Sequence, residues 1–151
     1  MIILTSILSV LCTISGSKDS LNILTTTAMI ADITKQVAGE HAVVNALMGE
    51  GVDPHLYKPT AADAKVILDS DIIFYSGLML EGRMADTFFK ASRIGKVVYP
   101  VTEDLKESYL LEPEEFDGHW DPHVWNDVQA WSKAVDTVSK ALCEQDPENC
   151  L

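Results

Sequence analysis

The chain has 151 residues, 47% of them hydrophobic and 23% charged, with a formal net charge of −12 and a pI near 4.5. It is long enough for one domain with a real core, and the composition excludes disorder, collagen and coiled coil as whole-chain readings. So acidic a surface repels phosphate backbones, and nucleic acid is therefore not an expected partner.

In chain order, the first segment reads as an export signal. Ile2 to Ile14 is an apolar run of 13 residues. That is too short to span a bilayer, which takes about 20, and it fits the apolar region of a secretory signal. Ser15, Gly16 and Ser17 offer a cleavage region, so residues 1–17 are expected to leave. No Lys or Arg precedes the run, and a buried N-terminal strand is the competing reading. Cys12 raises lipid anchoring, but Ser9, Val10 and Leu11 do not supply the small residue that such processing wants before the Cys.

Asn22 to Thr25 then opens an apolar strand. Thr27 precedes a helix whose Met29, Ile30, Ile33 and Val37 recur at helical spacing, with Gly39 as a stop signal. His41 to Met48 is short and β-branched, hence a strand, and His41 at its start is expected at the surface or the core edge. Residues 48–59 form a Gly- and Pro-bearing loop. Thr60 caps a helix over residues 61–69, with Asp63 at the capping-box position. Residues 71–75 read as a buried strand, residues 78–92 as a helix with some loop at its start, and residues 96–99 as a strand closed by Pro100.

The order β-α-β-α-β-α-β predicts an α/β fold with a mainly parallel, Rossmann-like sheet. Residues 102–121 form an acidic linker. The acidity is concentrated there and beyond: residues 1–100 hold 8 basic and 10 acidic side chains, residues 101–151 hold 3 and 13. An acidic run is ordinarily a solvated loop, and its functional reading is a rim that gathers cations. From Val128 a long helix carries the apolar stripe Val128, Trp131, Val135, Val138 and Leu142. Cys143 and Cys150 lie seven apart, about 10.5 Å on a straight helix, too far for a disulfide unless the helix breaks, and Pro147 offers the break. There is no GxGxxG, P-loop or HExxH.

The chemistry-bearing feature is a repeated tripeptide, Asp53-Pro54-His55 and Asp121-Pro122-His123, in a chain with only 4 His and 6 Pro. Proline stiffens the backbone before each imidazole, and a pre-ordered imidazole suits a metal ligand. Imidazole favours zinc and other late transition ions, and nearby carboxylates admit manganese. Asp53 and Asp121 are the adjacent candidates to fix the ring tautomers. His119, four before His123, is a possible third ligand. Trp120, Trp125 and Trp131 are read as packing residues. Glu81 is read as a carboxylate favoured by a helix N-terminus rather than as a ligand.

Taken together, GVDPHLYKPTAADA, DIIFYSGLMLEGRM and DPHVWNDV closely resemble the zinc/manganese solute-binding proteins of ABC transporters. The resemblance runs from about Asn22 to the final residues. It implies that His55 and His123 match the family's two N-terminal-lobe ligands for zinc or manganese, and that the chain is exported to the periplasm or cell surface and serves a membrane permease. It implies a metal-binding lobe over 18–126 and the start of a linking helix over 127–151. Family members are about twice this long and take their other two ligands from a second lobe. That lobe is absent from this sequence, so another chain, a second copy or His119 would complete the shell. The family's His-rich acidic insertion is absent as well, which leaves zinc against manganese open. The expected role is binding without catalysis. The competing readings are an orphan structural or interaction lobe and a two-His metallohydrolase.

Overall fold

A computed structural model describes residues 20–114 and 118–150. The segment expected to be a signal, 1–17, with Cys12, lies outside the described residues. No helix among the described residues is long and apolar enough to cross a membrane.

Four parallel strands form one sheet: β1 (Leu21–Thr25), β2 (Ala42–Ala46), β3 (Ile72–Tyr75) and β4 (Val97–Pro100), in the order β2-β1-β3-β4. Ile23 lies opposite Val44 on one side and Ile72 on the other, and Phe74 lies opposite Tyr99. Side chains on a strand alternate between faces, and this sheet is covered on both. On one face Ile23, Ile72 and Phe74 meet α1 (Ala28–Ala38) and α4 (Val128–Gln145) through Ile30, Ile33, Ala134, Val138 and Ala141. On the other, Leu24 and Ile73 meet α2 (Ala61–Asp69) and α3 (Ala85–Arg93) through Ile67, Phe88 and Ala91. The α/β reading of the sequence therefore holds, as a three-layer sandwich.

Local signals set the helix limits. The Thr27 side chain accepts from Ile30 N at the start of α1. Thr60 and Asp63 form the reciprocal capping box of α2, and Asp127 accepts from the backbone of Gln129 and Ala130 at the start of α4. The buried face of α4 includes Val138 and Leu142 of the predicted stripe and is centred on smaller residues than the stripe implied. Val128 is 83% exposed, and Trp131 and Val135 are half-buried. The face that meets the sheet is Ala130, Ala134, Val138 and Ala141. These small residues let α4 lie close to the sheet, so the larger apolar side chains fall on the flank, and at the first helical position that flank faces solvent.

The helix ends at Gln145, and a short 3-10 turn over Pro147–Asn149 brings Cys150 back to Cys143. The two are joined by a disulfide across a Cα separation of 4.7 Å. The helix break that the spacing demanded is present.

Candidate metal centre

All four strands run the same way, so their carboxyl ends share one edge of the sheet, where ligands of such folds bind. The order of strands reverses between β1 and β3, which puts β2 and β4 on opposite flanks. Three strand spacings separate them, about 14 Å. The loop after β2 carries His55 and the segment after β4 carries His123, so both must reach back over the central strands to meet. They do: His55 Nε2 lies 3.2 Å from His123 Nε2.

The two tripeptides fold alike. Asp53 Oδ1 accepts the backbone N–H of His55 at 2.9 Å, and Asp121 Oδ1 accepts that of His123 at 2.9 Å. Each is an aspartate side chain closing a turn on the residue two further on. Proline between them supplies a fixed φ and no competing donor.

The rings are held differently. Asp121 Oδ1 also lies 2.6 Å from His123 Nδ1. Burial would raise the Asp121 carboxyl, but the backbone and ring hydrogen bonds from His123 outweigh it and hold the carboxyl below its ordinary value. An ionised carboxylate only accepts, so the ring donates through Nδ1, and in a neutral imidazole that leaves the Nε2 lone pair towards His55. Trp125 packs edge-on to the His123 ring with centroids 5.3 Å apart. His123 and Asp121 side chains are 33% and 28% exposed, so the pair opens to solvent on one side.

A tetrahedral zinc with Zn–N bonds of about 2.0–2.1 Å sets neighbouring nitrogens about 3.3 Å apart. The observed separation therefore fits two imidazoles ligating one ion. Among the described residues no group of three or more His, Cys, Asp or Glu converges as a metal cluster. His119 and His41 are both exposed. Among the described residues two ring nitrogens are thus brought to a spacing that suits one ion.

Glu81 is held by buried partners rather than by a helix N-terminus. It is 3% exposed and lies beneath the strand ends, accepting from Thr26 Oγ1 at 2.5 Å and from Ser76 N at 2.8 Å. Burial pushes its carboxyl up, opposed by those bonds and by nearby backbone N–H groups. The helix following it is one 3-10 turn, Gly82–Met84, with no side-chain cap. The sequence signal was a lone Glu directly after the apolar run Leu78–Leu80.

Comparison with known proteins bears on this arrangement. The family model described as zinc-uptake complex component A, periplasmic, matches residues 23–150. The zinc-binding protein TroA of Treponema pallidum (strain Nichols) is 42% identical over 134 residues, covering 85% of this chain and 42% of that protein. The manganese-binding lipoprotein MntA of Bacillus subtilis (strain 168) is 37% identical over 134 residues, covering 89% and 43%. Among solved structures, the periplasmic zinc-binding protein TroA of Treponema pallidum superposes with a TM-score of 0.80 at 40% identity, covering 87% of this chain and 46% of that one. Zn(II)-bound AdcA of Streptococcus pneumoniae superposes with a TM-score of 0.75 at 30% identity, covering 85% and 27%. The chain spans less than half the length of the curated relatives it matches here.

Proposed function

The chain belongs to the periplasmic zinc-uptake component A family, and from that premise we propose that it binds zinc or manganese outside the cytoplasm for uptake by an ABC-transporter permease. The observation that carries the reading is the convergence of His55 Nε2 and His123 Nε2 at 3.2 Å from opposite flanks of the sheet. Residues 18–126 are assigned to the metal-binding lobe and 127–151 to the segment leading from it, whose helix α4 spans Val128–Gln145. The ion is cargo: the two rings capture it, and donors beyond this pair complete its shell.

Three observations support the reading. The exposed acidic side chains between β4 and His123, among them Glu103, Asp104, Glu107, Glu112 and Glu114, raise the local concentration of cations. The Cys143–Cys150 disulfide suits an oxidising compartment and hence export. Asp121, the carboxylate beside the rings, is committed to His123 by two hydrogen bonds, which favours holding an ion over activating water.

The test is calorimetric titration of the metal-stripped chain with zinc and with manganese, beside the His55→Ala/His123→Ala variant. Binding at one ion per pair of rings, lost in the variant, is the expected result. Binding that survives the double substitution would sink the assignment of these two ligands.

A further inference from the structure

We propose that Glu81 is a positioning residue for the metal site, the hub of a buried hydrogen-bond relay that sets the roots of both histidine-bearing segments. The inference rests on the metal-binding reading of His55 and His123.

The relay runs in two directions from one carboxylate. Towards His55, Glu81 accepts from Thr26 Oγ1. The Thr26 carbonyl accepts from Met48 N at 2.9 Å, and the Thr25 carbonyl accepts from Leu47 N at 2.8 Å. Leu47 and Met48 are the first two residues beyond β2, the root of the His55 loop. Towards His123, Glu81 accepts from Ser76 N. The Ser76 carbonyl accepts from Thr102 Oγ1 at 2.7 Å, and the Tyr75 carbonyl accepts from Val101 N at 2.8 Å. Val101 and Thr102 are the first two residues beyond β4, the root of the segment that ends in His123. Thr26, Met48, Ser76, Glu81, Val101 and Thr102 are each 5% exposed or less.

Nothing but an acceptor fits at the hub. An apolar side chain there would leave the Thr26 hydroxyl and the Ser76 N–H without partners, away from water. The chain also accepts strain to deliver it. Leu78 and Met79, in the loop that folds Glu81 back beneath the strand ends, both have left-handed backbone, φ 49 and 65. Neither is glycine, and each such residue costs about 1 kcal/mol or more unless its surroundings hold it. Backbone strain of this kind beside a ligand site marks a geometry that the surrounding contacts over-determine. The carboxylate lies where the strand order reverses, between the β1–β2 half and the β3–β4 half, so it couples the two flanks that each supply one ring.

The test compares Glu81→Ala, Glu81→Gln and a control, Val138→Ala, whose side chain is buried between α4 and the opposite face of the sheet. Three quantities are measured: thermal unfolding, zinc affinity by calorimetry, and the cross-ring proton NOE between His55 and His123 in the metal-free chain. Glu81→Ala is expected to weaken zinc binding about tenfold or more, the loss typical of removing support behind a ligand, and to erase the NOE. Glu81→Gln keeps an oxygen for both donors and is expected to retain affinity and NOE. Val138→Ala is expected to lower the melting temperature and change neither. Full affinity and an intact NOE in Glu81→Ala would overturn the proposal, as would equal losses in Val138→Ala. If Glu81→Ala does not fold, Thr26→Val and Thr102→Val, each removing one hydroxyl of the relay, carry the same comparison. A wild-type chain that binds no zinc would refute the metal reading itself, while the NOE series would still decide whether Glu81 sets the ring pair.

Discussion

Asp121 accepts two hydrogen bonds from one residue, the backbone N–H and the ring Nδ1 of His123, through a single oxygen. Its counterpart Asp53 accepts the backbone N–H of His55, and among the described residues the aspartate–ring contact belongs to the second tripeptide. The repeat is therefore structural in both copies and electronic in one. Asp121→Asn replaces a carboxylate that can only accept with an amide that can present its NH2 to Nδ1. Zinc affinity is expected to fall about 10- to 100-fold. Asp53→Asn disturbs the loop turn and is expected to cost less. Calorimetry on the two variants side by side checks the asymmetry; equal losses would refute it.

Tyr57, two residues beyond His55, donates its hydroxyl to Asp63 at 2.8 Å. Burial first, then the hydrogen bond and charge of Asp63, push the Tyr57 pKa up from 10.0 to about 12. The protonated phenol is the form that folding favours. Its contribution to stability is present below pH 10 and is lost as pH rises through about 12. Asp63 runs the other way. Burial opposes its ionisation, but the Thr60 and Tyr57 bonds outweigh burial and hold it below 3.8. Its contribution is present above that value and is lost as pH falls through the folded value. Ultraviolet titration is expected to show one late tyrosine, which Asp63→Asn returns towards 10.0 while flattening the acid limb of stability.

The disulfide closes a loop of seven residues of separation at the end of α4. Loop-closure entropy on that length gives about 2 kcal/mol. Cys143→Ser/Cys150→Ser is expected to lower the calorimetric melting temperature accordingly. Cys143 and Cys150 share a cavity with Leu21 and His41, at the start of β1 and just before β2, the sheet edge away from the histidine pair. Zinc affinity is therefore expected to stay unchanged in the same variant.

Gly77 has φ 90, and a Cβ built there would sit 2.5 Å from Thr102 Oγ1. Gly77→Ala pays in backbone conformation, about 1–3 kcal/mol, and also displaces the hydroxyl that bonds the Ser76 carbonyl. A stability loss from this substitution larger than that of Gly95→Ala, where φ is 85 and the space is open, is the expected denaturation result.

What the sequence made legible follows the range of the interactions. The limits of α2 and the start of α4 were readable because caps and periodicity are local: Thr60 with Asp63, and the apolar pattern that opens at Val128. The repeated tripeptide pointed to His55 and His123. Their meeting across 68 positions depends on strand order, which no local pattern writes. The start of α3 was misplaced because Leu78 and Met79 are left-handed without being Gly or Asn. Glu81 was taken for a carboxylate favoured by a helix N-terminus because its partners, Thr26 and Ser76, come from two other strand ends. Of the stripe of α4, Val138 and Leu142 are in the core and Trp131 and Val135 pack at its edge; Ala130, Ala134 and Ala141 were passed over because small residues become the contact face only where a helix comes close to its neighbour.

The ring pair bridges β2 and β4, and among the described residues each of those strands has one hydrogen-bonded neighbour. Sheet margins fray first in local opening, independently of each other. An ion gripped by both rings would act as a clasp across the sheet, so that neither margin opens without releasing it. Cargo loading should then slow amide exchange in β2 and β4 together, and mass spectrometry of exchange would read an occupied site as a change in how the far sides of the sheet breathe.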